Sequence, residues 1–380
     1  MTIQKNVKKV GIITMHKVEN FGSALQAYAL QKIVCDFGYD CEIIDYIFPN
    51  KYHKQFNENK SIKYSFLKSI IPNKFLSATY RDNVEIKKFW KKNYKLSKTY
   101  NSKEELQQNP PIYDIYITGS DQVWNTRFVK GDTSFLLSFA PDSAKKISYS
   151  SSFSSDEIDK NYEDTYTQLL SSYNRISVRE TSGENIVKTL TGKESITALD
   201  PTFLLTSQDW EKMCERDNKL YEDENYIFAY VLDYAVKCTP YIYELIKYYK
   251  EKTGYRVIYL DQQAKLPEEL IGLVERPDPV SPELFVSLFK NAKLVITSSF
   301  HGTAFAANFG SPLYSVVNED SGKDSRQMSL LTKLGISNRA VKVGTPFNEI
   351  KDEWNRKELL ERLTELRELS KGYLKEALES

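Results

Sequence analysis

The chain has 380 residues, of which 41% are hydrophobic and 13% aromatic, enough for two cores and too apolar for a disordered chain. Its formal net charge is +1, so no global positive field draws it to nucleic acid. The four cysteines, Cys35, Cys41, Cys214 and Cys238, lack CxxC spacing, and with three histidines they argue against structural zinc and fit a reducing compartment.

The first apolar run is too short for a signal peptide, and no stretch approaches the roughly 20 apolar residues of a membrane span. A cytoplasmic protein is expected, with contact at the inner face of the membrane left open. Residues 10–14 read as a buried strand, followed by a polar loop over 16–22. Ser23 can cap a helix whose apolar positions Leu25, Ala29, Leu30, Ile33 and Val34 keep the 3.6 period. Gly38 ends it, and residues 41–45 form the next strand. The unit is βαβ with a right-handed crossover. Asn20, Phe21, Gly22 and Ser23 then lie at the carboxyl end of the first strand. They are either a connector with a helix cap or one wall of a ligand site.

Residues 49–108 differ in kind. Positions 51–100 hold 13 Lys/Arg against 3 Asp/Glu. The stretch reads as a helical insertion with a water-facing charged surface, or as a surface for an anionic partner such as a membrane.

Residues 113–125, YDIYITGSDQVWN, run from a strand into the polar turn Gly119-Ser120-Asp121, with Trp124 and Asn125 beyond. A strand over 146–150 leads to a serine-rich loop. A strand over 175–178 ends in Arg179-Glu180 and a helix. A strand over 195–199 ends in Asp200-Pro201-Thr202. Polar composition over 207–225 marks a linker. Strand 226–232, helix 240–252, strand 256–260 and helix 282–290 begin a second series.

Residues 291–317 continue that series. They hold a strand over 294–296, a polar turn over 297–303, a helix over 304–309 stopped by Gly310, and a strand over 313–317. Ser298, Ser299, His301, Gly302 and Thr303 therefore stand at a strand's carboxyl end, where open α/β sheets bind ligands and helix starts hold anions. An ordinary capped turn with a hydrogen-bonded histidine fits the same residues. Residues 351–380 form a charged amphipathic helix expected to pack back across a domain.

The pattern implies an α/β chain of two halves with a cleft between them as the default site: residues 1–206, residues 207–350, and the terminal helix 351–380. NFGSALQAYAL, YDIYITGSDQVWN, ISVRE and ITSSFHGTAFAANFGSP, in this order and spacing, resemble the motifs of the polysaccharide pyruvyltransferase family over roughly residues 8–340. The resemblance implies a fold similar to the GT-B glycosyltransferases, with two Rossmann-like domains facing a cleft. It also implies transfer of a pyruvyl group from phosphoenolpyruvate to a terminal hexose of a cell-surface polysaccharide or its lipid-linked precursor, commonly as a ketal. No cofactor beyond that donor, no metal and no nucleic acid are expected.

By that resemblance His301 takes the role of acid. The family often has a basic residue shortly before this histidine; here Ser298-Ser299-Phe300 stand there. Arg179 is the main candidate for holding the anion, either so or as a structural ion pair with Glu180 or a neighbour. Arg326 is a second cation. Asp121 is a candidate base or a helix cap, and the acid and base roles are exchangeable. Asn20, Gly22, Ser23, Gln26, Gly119, Ser120, Trp124, Asn125, Ser298, Ser299, Gly302 and Thr303 are candidates to line the cleft, Trp124 by stacking on a sugar or else as core. A nucleotide-sugar glycosyltransferase and a non-catalytic polysaccharide-assembly protein remain the competing readings.

Overall fold

Apolar runs alternating with amphipathic segments build two parallel sheets in the computed structural model, which describes residues 7–48, 77–214, 221, 224–233, 236–261, 266–318 and 325–380. The first half contains β1 (Lys9–Ile13), α1 (Phe21–Asp36), β2 (Asp40–Tyr46), α2 (Ala78–Asn93), β3 (Leu96–Tyr100), α3 (Lys103–Gln108), β4 (Ile115–Thr118), α4 (Thr126–Val129), β5 (Lys145–Ser148), α5 (Glu163–Ser171), β6 (Ser177–Val178), α6 (Thr181–Thr191) and β7 (Ile196–Thr197). The second contains α7 (Ser207–Met213), β8 (Tyr226–Val231), α8 (Tyr241–Thr253), β9 (Arg256–Asp261), α9 (Pro282–Asn291), β10 (Leu294–Thr297), α10 (Phe300–Phe309), β11 (Leu313–Val317), α11 (Ser325–Lys333), β12 (Ala340–Lys342) and α12 (Arg356–Glu379).

The sheet orders are β3-β2-β1-β4-β5 and β12-β11-β10-β8-β9, with β6 and β7 paired separately. Single bridges from Ile147 to Arg175 and from Ser151 to Val178 join that pair to the β5 edge. Strands such as β1 and β10 are buried on both faces, as parallel strands covered by helices must be. In the first sheet the winding reverses between β1 and β4; in the second it reverses between β8 and β10. At such points neighbouring loops leave in opposite directions and open a crevice. Register aligns the exits, because Ile13 pairs with Thr118 and Thr297 with Tyr230.

A single hydrophobic cluster crosses from one half to the other. It runs through α1, α9, α10 and α12, and the Phe21 and Phe285 rings stack with centroids 4.7 Å apart. Helix α12 contributes Leu359, Leu363, Leu374 and Leu378 to it. Its polar contacts also reach both halves. Ser370 Oγ accepts from Leu199 N–H at 3.0 Å, and the Tyr373 hydroxyl donates to Ser148 O at 3.0 Å. Arg367 donates to Phe203 O at 2.6 Å and to Asn308 Oδ1 at 2.9 Å.

Three expectations change. The basic stretch is no simple insertion: α2 and β3 complete the first sheet, with Ile86, Phe89 and Trp90 of α2 buried and β3 paired to β2. Lys87, Lys92 and Lys95 in it form ion pairs with Glu19, Glu283 and Asp40, so much of the local charge is matched. The rest of the basic segment, residues 49–76, lies outside the described residues. The polar linker begins with α7, anchored by Trp210, whose indole N–H donates to Thr202 O at 2.9 Å. Finally, α10 starts at Phe300 rather than 304, because Ser299 caps it by accepting from Gly302 N–H. Among the described residues no helix is long and apolar enough to cross a membrane.

Candidate active site

The loops leaving β1, β4, β8 and β10 meet around a cavity of about 310 Å³. Its walls are Met15, Val18, Asn20 and Ser23 after β1; Asp121, Gln122, Asn125, Arg127 and Phe128 after β4; and Ser154 after β5. Leu232 follows β8, Ser298, Ser299, Phe300 and His301 follow β10, and Arg326 and Gln327 open α11. The site therefore sits where the two reversal points of the sheets face each other.

His301 stands in the first turn of α10, almost fully buried. The backbone of α1 lies flat against its ring: a Cβ on Gly22 would come within 2.2 Å of the imidazole Cγ and Nδ1. Nε2 has no hydrogen-bond partner among the described residues and is 3.9 Å from Asp200 Oδ2. Burial pushes the imidazole below its ordinary pKa of 6.5; Arg179 and Arg326 push the same way, against Asp200 and Asp121. Gly302 is needed for close approach, since a Cβ there would sit 2.3 Å from Thr297 Oγ1.

Arg179 is buried beneath Phe300, its guanidinium carbon 4.3 Å from the ring centroid. Nη1 donates to Asp200 Oδ2 at 3.1 Å, and Nη2 is 3.9 Å from Asp121 Oδ1. Nε and Nη2 are buried without a hydrogen-bond partner among the described residues. Its ion partners are Asp200 and Asp121; Glu180 instead accepts from Ser152 Oγ and Ser154 N–H.

Asp121 adopts a left-handed backbone, φ 72°, uncommon outside glycine. The turn is held by its own carboxylate, which accepts from Gln122 N–H at 2.9 Å and from Ser23 Oγ at 2.6 Å. Burial raises the Asp121 carboxyl, but Arg179, His301 and the Ser23 hydroxyl outweigh it and hold it below the usual carboxylate value. Asp200 was not singled out by the sequence reading. It is buried, and Oδ2 accepts from Ser120 Oγ at 3.0 Å as well as from Arg179, while Oδ1 accepts from Thr202 N–H and Oγ1. Its only sequence signal was its place at a strand's carboxyl end.

Of the expected cleft residues, Asn20, Ser23, Asn125, Ser298, Ser299 and Arg326 line the cavity, and Gly22 backs the histidine. Others are elsewhere. Trp124 is fully buried, donates to Phe135 O at 3.1 Å and packs on Phe153 and Tyr173, so it offers no face to a sugar. The Thr303 hydroxyl is engaged by Ser315 Oγ and Ser299 O, and the Gly302 N–H by Ser299 Oγ. Among the described residues the first-turn N–H groups of α10 left without an acceptor are thus those of Phe300 and His301. Gln26 donates to Thr14 Oγ1 and Ser23 O, bracing the α1 start from behind. Gly119 packs on Thr14, and Ser120 acts through Asp200. Gln122, Arg127, Phe128, Ser154 and Gln327 were missed, since only the fold brings them to one wall. Among the described residues no group of three or more His, Cys, Asp or Glu side chains is placed to hold a metal ion.

Residues 20–321 match the sequence model of the family described as Polysaccharide pyruvyl transferase. No curated protein matches the chain. Among solved structures, the UDP-N-acetylglucosamine 2-epimerase from Rickettsia bellii is similar at a TM-score of 0.50 and 10% identity, over 98% of this chain and 96% of that one. The UDP-GlcNAc 2-epimerase from Methanocaldococcus jannaschii gives 0.48 and 15%, over 94% and 92%. At 10% identity the first likeness concerns the fold alone: two Rossmann-like halves facing a cleft, as in GT-B enzymes.

Proposed function

This chain belongs to the polysaccharide pyruvyl transferase family and is a transferase, and from that premise we propose that its donor is phosphoenolpyruvate and its acceptor a terminal hexose of a cell-surface glycan or its lipid-linked precursor. The observation that carries the donor is Arg179. It does not itself line the cavity but lies directly behind Phe300 and Asp121, which do, and a buried guanidinium with two nitrogens lacking hydrogen-bond partners among the described residues fits a bidentate oxyanion. Arg326 and the N–H groups at the α10 start supply further positive potential for a ligand bearing a carboxylate and a phosphate.

In this reading His301 gives a proton to the donor's methylene carbon, leaving an oxocarbenium-like C2. A sugar hydroxyl adds to C2 and passes its proton to Asp121. The C2–O bond to phosphate then breaks, a second hydroxyl closes the ketal, and inorganic phosphate departs with one of the two hydroxyl protons while the other restores His301. Asp121 is a weak base, but a cationic carbon needs only a weak base, and late. The ligand-free His301 favours its neutral form; the bound anion favours imidazolium, so the acid is charged where the donor sits. No cofactor is required beyond the donor.

The test is phosphate release from phosphoenolpyruvate with free and lipid-linked hexose acceptors. Wild type releases phosphate; His301→Ala loses about 100-fold or more. A wild type inactive with every acceptor, yet thermally stabilised by nucleotide sugars alone, would sink the reading.

A further inference from the structure

We propose that Asp200 is the positioning residue for His301: a carboxylate from the first half that keeps a proton on Nε2 and leaves Nδ1 as the nitrogen that exchanges a proton with the substrate. The inference deepens the pyruvyl-transfer reading and rests on it for the catalytic consequence. Its structural part stands alone. Asp200 is itself immobilised from every side. Ser120 and Arg179 hold Oδ2, and Thr202 holds Oδ1 with two donors. The segment that follows is fastened to the histidine's own helix, because Asn308 of α10 donates to Thr202 O at 2.9 Å and Leu205 O at 3.0 Å. The carboxylate and the imidazole are thus held by one bonded assembly spanning both halves.

Nε2 is the buried nitrogen with no hydrogen-bond partner among the described residues, and Asp200 Oδ2 at 3.9 Å is its ion partner. A carboxylate there favours the Nε2–H tautomer and stabilises imidazolium, the logic by which a buried acid orients a catalytic histidine. Gly22 lets the α1 backbone sit against the ring, where a Cβ would come within 2.2 Å of Cγ and Nδ1. Among the described residues the charged groups around the ring are Asp200 after β7, Asp121 after β4, Arg179 after β6 and Arg326 in α11; α1 contributes Gly22 and Ser23, which carry no charge. Asp200 acts against the two arginines.

The experiment is ¹⁵N NMR of histidine-labelled, ligand-free protein, tractable because the chain has three histidines. His301 is expected as the Nε2–H tautomer, and its titration moves to lower pH in Asp200→Asn. In turnover with phosphoenolpyruvate, Asp200→Asn lowers kcat by about 100-fold, moves the alkaline limb of the profile to lower pH, and changes donor KM less than kcat. Asp200→Glu, which restores the charge, recovers part of the titration shift. An Nδ1–H tautomer in wild type overturns the proposal, even if Asp200→Asn does not fold. So does an unchanged His301 titration in a folded Asp200→Asn. These readouts need no donor, so a protein that releases no phosphate removes the donor reading while the Asp200 assignment is still decided by the spectrum.

Discussion

Gly22 shows how one hydrogen atom can be a functional group. With a Cβ position 2.2 Å from the His301 ring, even alanine must push the imidazole or the α1 start aside. Gly22→Ala is expected to cut kcat by about 100-fold, since displacing a reacting group by about 1 Å has that effect; circular dichroism should stay native. An active Gly22→Ala would mean that the ring is not held from this side. His301 also links pH to stability. Its folded pKa lies below 6.5, so the folded state prefers neutral imidazole. The associated stability is present above the ordinary value and is lost as pH falls through the folded one, because the unfolded chain takes the proton first. A bound anion reverses that preference. Calorimetric titration with phosphoenolpyruvate near pH 6.5 should therefore show proton uptake, seen as a heat that varies with buffer ionisation enthalpy. Equal heats in all buffers would remove the imidazolium from the bound state. His301, Asn20 and Asp121 were legible in the sequence because a polar residue next to an apolar run is a local signal. Asp200 carried the same local signal, but its contacts with Ser120, Arg179 and His301, all distant in sequence, could not be read, and Arg127 joins the wall only through the fold. Trp124 and Thr303 misled for the converse reason: polar neighbours suggested a wall, and packing turned both inward.

Elements were legible where period and punctuation agreed. The strands that were expected lie within a few residues of their places, β3 and β12 were not expected, and Gly310 ends its helix as predicted, with φ 67°. The start of α10 was placed late, because serine and glycine looked like turn chemistry when Ser299 was the cap and the helix had already begun. β3 was hidden because an edge strand with exposed lysine lacks the continuous apolar run of its neighbours. Helix α12 had an obvious apolar stripe, but its polar anchor Arg367 could not be read, since its acceptors are Phe203 O and Asn308 Oδ1. Arg367→Met keeps the stem packing and leaves those acceptors bare. It should lower unfolding free energy by about 2 kcal/mol, measured by urea denaturation, with donor KM unchanged. A loss below roughly 0.5 kcal/mol, the range of ordinary surface changes, would show that the anchor is not needed.

At the scale of the molecule, the two halves share one hydrophobic cluster. A cleft between lobes suggests a hinge, but stacked Phe21 and Phe285 lie across the seam. Phe285→Ala should cost about 3–5 kcal/mol and lower a single thermal transition, with calorimetric and van't Hoff enthalpies still equal. Two separated transitions would mean that the halves are independent after all. The site is thus pre-assembled by packing.

The contacts of α12 also set an order in time. Leu199, Ser148 and Phe203 belong to the first half, yet they are bonded to Ser370, Tyr373 and Arg367. A ribosome translates both sheets before it reaches α12. The first half therefore leaves the exit tunnel with part of its apolar face bare and must wait uncovered through the synthesis of the second. Nascent chains stalled after residue 206 should bind a hydrophobic dye and a holding chaperone, and folded chains that include α12 should not.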